Sequence, residues 1–216
     1  VVGSGPAGLS AAFQMARRGY PVTIFEAFEK SGGMLRYGIP SYRLPEDILD
    51  REVAAITDLG VEIKYGTRVG ADVPMDDLKK DYDAIYLAIG AHDGWTMGVP
   101  GEEGEGVMSA VEFLNKMNAG DSIDVSGKKV LIIGGGNSAV DAARASWRKG
   151  ADSQIVYRRT REEMPAEEEE IDDTLEEGIN IEYLTAPVEI IRDSGKVTGL
   201  KCIRMVLGEP DDSSRR

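Results

Sequence analysis

Two groups of residues in this 216-residue chain have the types and spacing to hold a phosphate-bearing nucleotide. The first is Gly3, Gly5 and Gly8 in "VVGSGPAGLS", followed by Glu26 in "TIFEAF". The second is Gly134, Gly136 and Ala139 in "VLIIGGGNSAV", followed by Arg158 and Arg159 in "QIVYRRT". In such a turn the first glycine permits the sharp bend. The second lets backbone approach a pyrophosphate, and the third small residue lets helix and strand pack closely. The helix that follows offers free N–H groups and a partial positive charge to a phosphate. A lone G-x-G-x-x-G is weak evidence, but here strand, helix and second strand accompany each copy.

The copies differ in the sign of the charge after the second strand. Glu26 stands 23 residues after Gly3, near the usual spacing of about 20 for an acid that accepts hydrogen bonds from a ribose. Arg158 stands 24 residues after Gly134. A carboxylate there would repel a 2′-phosphate, whereas a guanidinium holds one through forked, charge-assisted hydrogen bonds. The second unit therefore reads as a site for NADPH rather than NADH. A solvated Arg pair at a strand end is the alternative. Arg161 is a candidate third contributor.

These residues need two βαβ frames. Leu9, Ala12, Phe13 and Ala16 form the apolar stripe of one helix, closed by Gly19. Ala139, Ala142, Ala143 and Ser146 form a narrow stripe of small residues on the other, closed by Gly150. The expected fold is α/β, with two doubly wound, Rossmann-like domains spanning residues 1–100 and 107–216. The boundary falls between about Gly94 and Val107, in the turn-rich, acidic "VPGEEGEGV".

Composition narrows the class. Hydrophobic residues make up 42% of the chain, enough for a core, and 26 glycines supply many turns. A net charge of −13 disfavours nucleic acid and anionic membrane as nonspecific partners. No apolar run approaches membrane-spanning length, so no membrane insertion is expected. No signal segment is visible, and the cytoplasm is the default compartment. The single Cys202 lies in the strand-like "LKCIRMV" and reads as a structural thiol. No metal-ligand set is present. Because the chain enters a glycine turn after two residues, it reads as part of a longer protein.

The remaining segments carry weaker signals. "GGMLRYGIPSYRLP" is an ordered glycine-bearing loop. Pro45 starts a helix with the stripe Leu49, Val53, Ile56. "YDAIYLAIG" is a buried strand running into a glycine turn, and His92 after it is a solvated histidine. Trp95 is a packing residue between domains. Pro165 starts an acidic helix with Ile171 and Leu175 as its buried pair; its acids are a solvated face or a dock for a basic redox partner. "VEIIRD" and "GKVTGLKCIRMVL" form a hairpin through Asp193-Ser194-Gly195.

The pieces "GSGPAGLSAA", "GGMLRYGIPSYRLP", "IIGGGNSAVDAAR" and "YRRTREEMPA" together resemble the NADPH-dependent glutamate synthase small (beta) subunit family. Relatives of that family include the flavin/NADPH part of dihydropyrimidine dehydrogenase and the large subunit of the electron-bifurcating NADH-dependent ferredoxin:NADP oxidoreductase. The resemblance implies FAD in the first unit and NADPH in the second, which is inserted in the first. It places Gly3, Gly5, Pro6, Ala7, Gly8 and Glu26 on the ADP half of FAD. Gly33, Met34, Leu35 and Arg43 follow toward the flavin, Val69 at the adenine, and Ala88 and Gly90 at the crossover. Gly135, Gly136, Asn137, Ser138 and Ala139 would face NADPH, with Arg158 and Arg159 on its 2′-phosphate. It also implies an iron–sulfur domain or subunit as electron partner in a hetero-oligomer, and no catalytic acid or base. The family's C-terminal return to the FAD domain and its cysteine-rich domain are not in this sequence. Ser214 stands where the family has glycine.

Overall fold

The computed structural model describes residues 1–120 and 123–209; Ser214 lies outside them. The chain divides into two compact units, Val1–His92 and Asp93–Arg216.

The first unit winds a small parallel sheet. Val1 and Val2, only two residues ahead of the glycine turn, occupy its middle. Val2 bridges Phe25 on one side and Leu87 on the other, both parallel. The Val2 N–H donates to Tyr86 O at 2.9 Å, and the Ala88 N–H donates to Val2 O at 2.8 Å. Beyond Phe25, strand β1 (Thr23–Phe25) pairs in parallel with β2 (Glu62–Lys64). Helix α1 (Pro6–Ala16) links the Val2 strand to β1, with Pro6 at its first turn, where the missing N–H costs nothing. Helices α2 (Met34–Tyr37) and α3 (Glu46–Thr57) lie between β1 and β2. Leu9, Ala12, Ile24, Leu49 and Val53 form the core under α1 and α3. Helix α4 (Met75–Asp81) adds Leu78 to a second cluster with Val2 and Phe25.

The second unit opens with α5 (Ala110–Ala119), capped by the Ser109 hydroxyl, which accepts from the Glu112 N–H, and closed by left-handed Gly120. Strands β3 (Lys129–Ile133), β4 (Asp152–Val156) and β5 (Asn180–Glu182) form a parallel sheet in that order. Helix α6 (Asn137–Arg148) connects β3 to β4, and α7 (Glu168–Glu176) connects β4 to β5. The small-residue stripe of α6 is buried throughout, with Ala143 and Ser146 at 0% exposure. Strands β6 (Thr185–Asp193) and β7 (Lys196–Arg204) form the expected hairpin, turning through Ser194 and Gly195, both at positive φ. The acidic turns before α5 pack on this hairpin. Arg192 donates to Gly101 O and Glu105 O, and the Ile190 N–H donates to Pro100 O.

Several expectations are corrected. The "YDAIYLAIG" segment is not buried: Tyr86, Leu87 and Ile89 are exposed, because among the described residues it pairs only with Val2. Trp95 is 98% exposed. The 32–45 loop contains the helical turn α2. Pro45 caps α3 from outside, one residue before its start. Pro165 likewise precedes α7, which begins at Glu168. The buried pair of α7 is Ile171 and Thr174, one turn position away from the exposed Leu175. Its acids are not only a solvated face, since Arg144 of α6 pairs with Glu170, Asp173 and Glu177. Finally, His92 is half-buried against Phe28, with ring centroids 5.6 Å apart, and its Nδ1 has no hydrogen-bond partner among the described residues.

Candidate dinucleotide sites

In the first unit the turn is built by close approach. A Cβ on Gly3 would lie 2.4 Å from Ala88 O, and one on Gly8 would lie 1.9 Å from Gly3 O. Those two glycines let the α1 start, the Val2 strand and the Ala88 segment meet. Gly5 differs, because its added Cβ would find only the Cα of Gly33, at 3.8 Å. Gly33 at φ +53 lies across from it and caps α2. Pro6 and Ala7 form the exposed first turn of α1. The cradle thus has room on the Gly5 side, as a pyrophosphate needs, while Gly33 is held close, an added Cβ there lying 2.7 Å from Gly5 Cα.

Glu26 sits at the end of β1 and is 5% exposed. Its Oε2 accepts from the Ser4 N–H at 2.7 Å and from the Ser4 hydroxyl; its Oε1 accepts from the Phe28 N–H at 2.8 Å. A carboxylate offers about four acceptor directions, so capacity remains for a hydroxyl beyond these three donors. Ser4 is fully buried and carried no sequence signal, being the freely variable position of the glycine pattern. Among the other expected residues, Leu35 packs on the α1 core and Val69 on the Val2–Phe25 cluster. Met34 curls under Gly38, whose added Cβ would meet Met34 Cε at 2.2 Å. Arg43 lies in the turn after Pro40. Ala88 lines the glycine turn, and Gly90 takes φ +68 beside His92.

In the second unit Gly134 ends β3, its N–H donating to Val156 O at 3.1 Å. A Cβ on Gly135 would strike the Tyr157 ring at 2.6 Å, so glycine is required there by the buried tyrosine. Gly136 is open, with Pro165 as its nearest neighbour at 3.8 Å from an added Cβ. Asn137 and Ser138 begin α6, and Ala139 is buried on the sheet side. Their turn is covered from outside by residues 164–167. The Ala166 N–H donates to Gly135 O at 3.1 Å, and the Glu167 N–H donates to Asn137 Oδ1 at 2.9 Å. Arg158 is exposed past the end of β4, and Arg159 follows half-buried. Arg161 is turned away, bonded to Asp172.

Two strand–turn–helix cradles on two Rossmann-like units, one ending in a held acid and the other in arginines, have the form of dinucleotide-binding turns. The family described as pyridine nucleotide-disulphide oxidoreductase matches residues 1–210, and the chain belongs to it. It is 51% identical over 219 residues to the NADP(+)-dependent formate dehydrogenase subunit beta of Moorella thermoacetica, covering all of this chain and 31% of that one. It is 36% identical over 228 residues to the glutamate synthase (NADPH) small chain of Escherichia coli, covering all of this chain and 48% of that one. The structure of Mycobacterium tuberculosis FprA in complex with NADPH shares the fold, with a TM-score of 0.81 over 99% of this chain and 64% of that one, at 20% identity. The chain therefore spans about a third to a half of these curated relatives. Among the described residues, no helix is long and apolar enough to cross a membrane, and no cluster of His, Cys, Asp or Glu could hold a metal ion.

Proposed function

We propose that the chain is the dinucleotide-handling part of an NADPH-dependent flavoenzyme. In this reading residues 1–100 hold FAD and residues 107–216 hold NADPH. FAD held there would supply acceptance of a hydride from NADPH and one-electron delivery toward iron–sulfur clusters in another domain or subunit. The protein's own part is binding and orientation. The N–H groups at the starts of α1 and α6 receive pyrophosphates. Glu26 accepts from a ribose hydroxyl, and Arg158 and Arg159 receive a 2′-phosphate. The single observation that carries the reading is this contrast at equivalent strand ends: a buried acid held by three donors in one unit, and an exposed arginine in the other. No acid or base is needed for hydride transfer, so none is assigned. The reading extends to a cytoplasmic hetero-oligomer.

The test is spectroscopic. The full-length protein should carry or take up FAD, and its flavin absorbance should bleach anaerobically with NADPH. A protein that neither holds flavin nor bleaches would be a nucleotide-binding scaffold instead.

A second reading concerns only the partner. Identity to the formate dehydrogenase subunit, 51%, exceeds that to the glutamate synthase chain, 36%. This favours a partner subunit that handles a small oxidisable substrate over one that makes glutamate. Copurification would decide it: a glutaminase-bearing partner supports the glutamate synthase reading and removes this one.

A further inference from the structure

The segment Thr160–Glu167 runs from the arginine pair back to the glycine turn of the second unit, and its attachments are specific. At its start, the Thr160 N–H donates to the Glu163 carboxylate at 3.1 Å and the Thr160 hydroxyl also bonds it, a capping box around the 3₁₀ turn Arg161–Glu163. In its middle, the Tyr157 hydroxyl donates to Glu163 O at 2.6 Å while the Tyr157 ring fills the space beneath Gly135. Met164 and Ala166 are buried in the core. At its end, Ala166 and Glu167 bond Gly135 O and Asn137 Oδ1. All of the groups that the strap takes from the turn are acceptors. The N–H groups of Asn137 and Ser138 make no hydrogen bond among the described residues, so the strap leaves the turn's donors for an anion.

We infer that Asn137 is a positioning residue: by holding Glu167, it ties the strap to the glycine turn and so fixes the spacing between that turn and Arg158–Arg159. This rests on the NADPH reading above. The pyrophosphate and the 2′-phosphate of NADPH are covalently linked, so two anchors serve together only at a matching separation. An NADH molecule uses only the first anchor. The spacing therefore matters to NADPH and is immaterial to NADH. This separates the role from that of a residue contacting the pyrophosphate, whose loss weakens both cofactors alike.

The test measures dissociation constants of NADPH and NADH on the full-length, flavin-loaded protein, together with hydrogen exchange at the Glu167 amide. Asn137→Ala removes the acceptor. It should lower the preference for NADPH over NADH by about three- to tenfold, as one lost hydrogen bond permits, and should speed exchange at Glu167. Asn137→Asp keeps an acceptor and adds a charge beside the pyrophosphate. It should weaken both cofactors and leave the preference and the Glu167 protection in place. Equal weakening of both by Asn137→Ala, an unchanged preference, or loss of preference in Asn137→Asp overturns the inference. Arg158→Ala/Arg159→Ala is the control. If it too leaves the preference unchanged, the NADPH reading itself has failed; if it abolishes the preference while Asn137→Ala does not, only the positioning role has.

Discussion

Ser4 donates both its backbone N–H and its hydroxyl to one oxygen of Glu26, Oε2, while the Phe28 N–H serves the other. The carboxylate that closes the first strand pair is thus set by the glycine turn itself. Ser4→Ala removes one of two donors from an oxygen in a residue only 5% exposed. A hydrogen bond to a charged group contributes about 1.5–3 kcal/mol. The expected outcome is a loss of about 1–2 kcal/mol in urea unfolding of the flavin-free protein and weaker FAD binding, with NADPH affinity unchanged. An unfolding midpoint equal to that of the parent would show that the hydroxyl does nothing.

Gly5 and Gly8 share one motif, yet alanine at each should fail differently. At Gly8 the new methyl would lie 1.9 Å from Gly3 O, a backbone atom that cannot turn aside. Gly8→Ala should therefore lower stability by about 2–3 kcal/mol, as overpacking does, and lose flavin as a consequence. At Gly5 the methyl meets nothing closer than 3.8 Å, and φ is −71°. Gly5→Ala should melt within about 0.5 kcal/mol of the parent, as substitutions away from packed features do, and still lose FAD affinity by at least tenfold. Retained flavin in Gly5→Ala would place the pyrophosphate elsewhere.

The proposed function assigns the discrimination between cofactors to Arg158 and Arg159. Replacing both with Ala should weaken NADPH more than NADH by about 1.5–3 kcal/mol, the worth of a charge-assisted contact. Titration of each cofactor against flavin fluorescence reads this directly. Equal losses would mean that the pair is a solvated strand end. Arg161 should contribute little, because Asp172 already holds it.

What the sequence made legible was what repeats at short range. The two glycine turns, the α6 stripe and the Asp193–Gly195 hairpin each follow from a few adjacent residues, and all are present; of the α1 stripe, Leu9, Ala12 and Ala16 reach the core and Phe13 does not. What it hid depends on contacts across tens of residues. Nothing in "GSG" says that Ser4 will meet a carboxylate 22 residues on. Nothing in "EEMPA" says that it will lie over Gly135 and Asn137, although Thr160-x-x-Glu163 is a capping-box pattern and could have marked an ordered turn. The same reason explains the misplaced partner of Ile171. Helical spacing allows both i+3 and i+4, and Arg144 chooses by drawing Glu170, Asp173 and Glu177 toward α6.

That arginine sets the last prediction. Arg144 is 5% exposed and bonds three carboxylates of the α7 segment, while Arg148 shares Glu177. Burial pushes the Glu177 carboxyl up, but the hydrogen bonds and charges of Arg144 and Arg148 outweigh it and hold the group below its ordinary 4.5. A lowered folded value means that the unfolded chain binds the proton first. The stabilisation is thus complete well above 4.5 and is lost as pH falls through the lowered folded value. Arg144→Met keeps the volume and removes the charge, leaving the carboxylates without their central partner. Breaking a fully buried pair costs about 3–5 kcal/mol; with Asp173 half-exposed, the loss at pH 7 should be nearer about 2–3 kcal/mol. Urea unfolding across pH should show the gap between parent and variant full at neutral pH and narrowing below about 4.5. A gap that stays constant down to pH 3 would assign the loss to packing of the arginine stem rather than to its charge.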